Sequence, residues 1–149
     1  MFAAKISMEL TSQTRYLIDT NILVYSVNQQ SPHYSKARKL LEDGLKQGVS
    51  FVVAHQNLIE FVAVLTRGYS VKLKDALLDA ESFAARFEVI APLPATFARY
   101  ARLAQKAKQT LYPFDLYLAA TMLDNDVERI ITANSKDFQG IGLKEVVAL

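Results

Sequence analysis

Three acidic residues stand in apolar surroundings, where an ionised carboxylate is costly unless it finds a partner or a cation. They are Asp19 in "RYLIDTNILVYSV", Glu60 in "NLIEFVAVLTR" and Asp115 in "YPFDLYLAATML". A fourth polar cluster, "ITANSKDFQG", carries Thr132, Asn134, Ser135 and Asp137. Each has a bland explanation alone. Asp19 is a good helix N-cap, worth about 1 kcal/mol. Glu60 can pair with Arg67 or with a neighbouring helix. Asp115 in a first helical turn gains roughly 0.3–1 kcal/mol from the helix dipole, and the polar groups around Asn134 suit a turn. Together they point elsewhere. Several carboxylates at close range repel unless protons or cations compensate them. Hard oxygen donors without His or Cys suit Mg²⁺ or Mn²⁺. Such ions activate water and neutralise charge on a phosphodiester. The indicated chemistry is displacement at phosphorus.

The elements that must position these groups alternate. "RYLI" is a short apolar run with the pattern of a buried strand, ending at Asp19, before a helical turn. From Ser35 to about Leu45, Ala37, Leu40, Leu41 and Leu45 recur at helical spacing, and Gly48 closes the segment. "SFVVA" is β-branched and aromatic, a second strand. "HQNLIEFVAVLTR" is expected to be a helix ending before Gly68, and "KLKDALLDAESFAARF" another. In the first of these, Glu60 groups with Gln56, Asn57, Ala63 and Arg67 on a narrow polar stripe, and the apolar remainder predicts a mostly buried helix. "FEVIAP" is a third strand, "PATFARYARLAQKAK" a helix, and Pro113 opens the strongly apolar helix "FDLYLAATMLDN". "ERIIT" and "LKEVVAL" supply a fourth and a fifth strand. The glycines, Gly44, Gly48, Gly68, Gly140 and Gly142, are expected at turns. Strands alternating with helices imply a parallel sheet covered on both faces, a three-layer α/β/α domain of about five strands. In such sheets ligands bind beyond the carboxyl ends of the strands, and Asp19 stands at such an end.

A chain of 149 residues, 51% apolar and 21% charged, fits one globular domain. The domain is expected over 15–149, with 1–14 as an N-terminal extension that lacks the h-region of a signal peptide. No apolar run approaches the roughly 18–20 residues needed to cross a bilayer, so no membrane partner is expected. The absence of cysteine excludes disulfides, thiolate metal sites and a Cys nucleophile, and fits a cytoplasmic location. A net charge of +2 identifies no partner. "YSKARKLLEDGLKQG" and "RYARLAQKAKQ" do concentrate basic residues, which suit either a solvated helix face or phosphate contacts.

In order, "YLIDTNILVY", "NLIEFVAVLTR", "FDLYLAATML" and "IITANSKDF" resemble the signature segments of PIN-domain ribonucleases, especially the VapC-type toxins of bacterial toxin–antitoxin pairs. The resemblance runs from Arg15 to about Val147. It implies a PIN-like fold, Mg²⁺ or Mn²⁺ at an acidic pocket, endonucleolytic RNA cleavage, a homodimer, and an antitoxin that occludes the site. Residue by residue, Asp19, Glu60 and Asp115 match the family's metal-site acids, with Asp19 and Asp115 as direct ligands. Thr20 and Asn21 match the polar pair that orients the first aspartate, and Thr132 the hydroxyl residue ending the fourth strand. The last acid falls either at Asn134, which is neutral here, or at Asp137. Lys36, Arg38, Arg67 and Lys136 are candidates for holding RNA phosphates.

Three other readings compete. A haloacid-dehalogenase-like phosphatase also places an aspartate after its first strand, but needs a second one two positions on as acid/base, where Asn21 stands. A receiver domain normally has an adjacent acidic pair there and a later lysine, a pattern missing here. A catalytically silent PIN-like binding module would retain the fold without the chemistry, and the intact Asp19, Glu60 and Asp115 argue against it.

Overall fold

The structure, a computed structural model, describes residues 14–107 and 111–149. Most of the expected extension, residues 1–14, therefore lies outside the described residues, as does Lys108 at the end of one basic run. Five strands and six helices alternate: β1 (Arg15–Ile18), α1 (Thr20–Val27), α2 (Tyr34–Lys46), β2 (Ser50–Ala54), α3 (His55–Gly68), α4 (Leu73–Arg86), β3 (Glu88–Ile90), α5 (Thr96–Lys106), α6 (Pro113–Asp124), β4 (Arg129–Thr132) and β5 (Glu145–Ala148). A single 3₁₀ turn, Ser135–Phe138, follows β4.

All strand pairs are parallel, in the order β3-β2-β1-β4-β5. Leu17 of β1 pairs with Val52 on one side and Ile130 on the other. The chain moves outward from β1 through β2 to β3, then crosses back to β4 and β5. The strand order therefore reverses between β1 and β4, where a parallel sheet opens a crevice at its carboxyl edge.

Alternation along the strands splits the core into two. Tyr16, Ile18, Phe51, Val53 and Ile131 face helices α1 to α4, together with Phe61, Leu65 and Phe83. Leu17, Val52, Ala54 and Ile130 face α5 and α6, with Leu116, Leu118, Ala119 and Met122. The central strands are buried on both faces, which is why they read as continuous apolar runs. Fully burying a side chain such as Leu17 or Ile131 contributes roughly 1.5–3 kcal/mol, and both are 0% exposed.

Two sequence expectations fail. Gly44 lies inside α2, not at a turn: a Cβ there would fall 2.3 Å from Cζ of Phe51, so glycine lets the helix lie close to β2. Gly68 is the last residue of α3. Nor is α3 mostly buried. Its core face is Asn57, Phe61 and Leu65, while Ile59 is 71% exposed. An i, i+4 stripe is all that one sheet face can cover, so the remaining apolar residues border α4 and solvent.

Candidate active site

β1 is too short to carry Asp19 past the sheet edge. The Asp19 N–H bonds to the Ile131 carbonyl at 3.0 Å, so the residue is fixed where β1 and β4 diverge. Its carboxylate caps α1, accepting from the Thr20 N–H at 2.8 Å through Oδ1. Oδ2 accepts from the Thr132 hydroxyl at 2.7 Å, across the crevice. Thr132 Oγ1 in turn accepts from the Asn134 N–H at 3.0 Å, which sets the start of the 3₁₀ turn. The cap and the site are one and the same group. Asp19 is 8% exposed, and burial is the main reason its carboxyl is pushed above the ordinary carboxylate range, against the two hydrogen bonds and with help from the charge of Asp137.

Asn57 is a residue that sequence reading placed wrongly. Assigned to a polar stripe beside Glu60, it is fully buried. Its Oδ1 accepts from the Ala54 N–H at 2.9 Å, and its Nδ2 donates to the Thr20 hydroxyl at 3.2 Å. The first bond is the half of a capping box in which an N3 side chain satisfies the N-cap N–H. The second ties the start of α3 to the start of α1, one residue from Asp19. An amide at the third position after a strand was the available signal.

Glu60 stands one turn further along α3, half-buried, and accepts from Gln56 Nε2 at 2.7 Å. Burial raises its carboxyl, Gln56 opposes that, and Asp19 adds a smaller upward push. Asp115 lies in the first turn of α6, behind Pro113 at N1. Its carboxyl is lifted to about 7, first by burial and then by the charges of Asp19, Asp137 and Glu60. The charges of Asp19, Asp137 and Glu60, each from a different element, are thus all felt at Asp115. Among the described residues no Lys or Arg forms an ion pair with any of the four. The expected alternative partner of Glu60, Arg67, is exposed at the far end of α3, roughly 10 Å further along the axis.

Asp137, in the 3₁₀ turn, is the member of the fourth cluster whose charge is felt at both Asp19 and Asp115. Asn134 is exposed and serves through its backbone, its carbonyl accepting from the Asp137 N–H at 3.0 Å. Asn21 is partly buried in the first turn of α1. Of the basic candidates, Lys136 adjoins Asp137 and lines a cleft of about 610 Å³ together with Lys106 and Gln139. Lys36 is exposed on α2. Arg38 pairs with Glu42 at 3.2 Å and lies beside Arg86, at the end of α4 that leads into β3. That is the edge of the sheet opposite the acids.

The donor set is all oxygen, uncompensated and partly desolvated, which fits a hard divalent cation. Among the described residues no three acidic or histidine side chains are already closed around one point.

Comparison with known proteins places the family and the fold. The profile of the PIN domain matches residues 16–142. VapC ribonuclease Mb1869c of Mycobacterium bovis is 29% identical over 117 residues, covering 78% of this chain and 87% of the relative. Ribonuclease VapC13 of Mycobacterium tuberculosis matches to the same extent. Among solved structures, VapBC2 from Rickettsia felis bound to a DNA fragment from its promoter superposes with a TM-score of 0.69 at 21% identity, covering 91% of this chain and 99% of that one. Mycobacterium tuberculosis VapC20, a sarcin–ricin loop cleaving toxin, gives a TM-score of 0.63 at 14% identity, covering 77% and 86%. At these identities the structural likeness speaks to the fold.

Proposed function

Since this chain belongs to the PIN-domain family, its profile matched over residues 16–142, we propose that it is a metal-dependent endoribonuclease, the toxin of a bacterial toxin–antitoxin pair. The observation that carries the reading is Asp19, fixed at the β1/β4 switch point by Thr20 and Thr132, with the charges of Asp19, Asp137 and Glu60 all felt at Asp115. The VapC relatives at 29% identity support ribonuclease chemistry. The VapBC complex among the structural relatives supports an antitoxin partner.

Asp19 and Asp115 would hold Mg²⁺ or Mn²⁺, with Glu60 and Asp137 around them. A bound divalent ion supplies Lewis acidity toward a phosphodiester and lowers the pKa of water. The chain's own residues supply the rest. Thr132 and Thr20 hold both oxygens of Asp19, so that its carboxylate is oriented before any substrate arrives. Glu60, half-buried and not itself assigned to the metal, would accept a proton from an attacking water. Lys136 and Lys106, lining one cleft beside Asp137, suit the phosphates of a flanking nucleotide. A homodimer is supported by an exposed aromatic face where α5 meets α6, with Phe97 67% and Phe114 56% exposed. The proposed setting is cytoplasmic; among the described residues no helix is long and apolar enough to cross a membrane.

The test is cleavage of RNA by purified protein, free of antitoxin, with Mg²⁺ or Mn²⁺. EDTA should stop it. Asp19→Asn and Asp115→Asn should each remove cleavage and keep the far-UV spectrum. Undiminished cleavage by both variants would sink the assignment.

A further inference from the structure

We propose that Gln56 is a positioning residue for the acidic site, fixing the Glu60 carboxylate relative to the helix turn that carries Asp115; the proposal rests on the nuclease reading above. Gln56 lies one helical turn before Glu60, where a Gln–Glu pair would pass for an ordinary i, i+4 contact. Its second bond is not local. Nε2 donates to Glu60 Oε1 at 2.7 Å and also to the Phe114 carbonyl at 2.7 Å. Phe114 immediately precedes Asp115 in the first turn of α6. One planar amide thus uses both N–H groups to join two elements that each deliver an acid. Chemistry fixes its orientation: the reversed amide would set an oxygen against a carboxylate and a carbonyl, two acceptors.

Among the described residues Gln56 is the hydrogen-bond partner of Glu60. Freed from it, a long carboxylate side chain regains rotamer freedom. The remaining acceptor, Gln56 Oε1, is buried without a protein partner. Such an atom normally has a reason, and beside a carboxylate group it suits a donor brought in by a ligand, such as a water of a hydrated cation.

The test is Mn²⁺ affinity, measured by calorimetry on wild type, Gln56→Met, Glu60→Gln, the double variant and Asp19→Asn. Gln56→Met keeps length and withdraws both donors; Gln56→Leu provides the same comparison should the thioether not fold. The expected result is a roughly tenfold loss of Mn²⁺ affinity, the size usual for a residue that orients a ligand, with an unchanged far-UV spectrum. Because Gln56 acts through Glu60, the double variant should bind no more weakly than Glu60→Gln. Affinity within about twofold of wild type, or losses that multiply in the double variant, overturns the role of Gln56. If those outcomes come with lost binding in Asp19→Asn, Gln56 falls and the nuclease reading stands. If Asp19→Asn binds Mn²⁺ like wild type, the site reading falls and Gln56 with it.

Discussion

Asp115 shows how burial and neighbouring acids together act on one carboxyl. Burial and the charges of Asp19, Asp137 and Glu60 hold it at about 7, against an ordinary 3.8. In the interval between those values the native protein keeps a proton that the unfolded chain has released. Linkage then fixes the sign: its contribution is fully present below about 3.8 and is lost as pH rises through about 7. Asp19 and Glu60, both raised, act in the same direction. In EDTA the melting temperature should therefore fall as pH rises from about 5 to 8, and Asp115→Asn should flatten the slope. Saturating Mn²⁺ should reduce the fall in wild type, because a cation favours the ionised carboxylates. Thermal scans across pH measure all three. A wild-type midpoint that is flat in EDTA would show that these carboxylates do not oppose one another.

Elements deliver the acids, and the joints between elements decide whether they arrive together. α1 begins at Asp19, α3 begins beside Thr20, and Asn57 is the link, fully buried with both polar atoms used. Asn57→Ala leaves the buried Ala54 N–H without its acceptor, at a cost of about 1–3 kcal/mol. For a domain of this size that lowers the melting temperature by roughly 2–4 °C per kcal/mol. The variant should lose stability with or without metal, unlike a change at Asp19. A thermal scan in EDTA that matches wild type would mean that water replaces the amide. The α6 joint differs in kind. Its helix is apolar on nearly all sides and buried from Leu116 to Met122 apart from Tyr117, so packing places it, and Gln56 supplies the polar tie at its exposed first turn.

For the whole molecule, the acidic site sets function against stability. Uncompensated carboxylates in a partly desolvated pocket raise the free energy of the cation-free fold. A divalent ion that binds only the native state stabilises it by about 2.7 kcal/mol at a hundredfold excess over Kd. Mn²⁺ should therefore raise the melting temperature by about 5–10 °C. Asp19→Asn keeps an oxygen to cap α1 and removes a buried charge. It should melt higher than wild type in EDTA at pH 8 and respond little to Mn²⁺. All scans belong at one protein concentration, because a dimer's midpoint depends on it. A variant that melts lower in EDTA yet keeps the full Mn²⁺ response would leave Asp19 as a helix cap alone.

Period and composition alone determined the alternation of strands and helices. The central strands, "RYLI", "SFVVA" and the "RIIT" within "ERIIT", stand where apolar runs without helical spacing put them, because burial on both faces leaves no other pattern. Asp19, Glu60 and Asp115 were legible for the complementary reason, that a carboxylate amid apolar residues needs a cause. Three things required the tertiary structure. Which face of α3 is buried depends on the sheet beneath it, so Asn57 and Glu60, three residues apart, separate into core and site. Gly44 resembled a turn until Phe51 lay against it. The surroundings of Asn134 and Asp137 depended on the single 3₁₀ turn after β4, where the charge of Asp137 is felt at Asp19 and the Asn134 amide lies in solvent. Local sequence carries periodicity and chemical type. Direction across a gap between elements is a property of their packing.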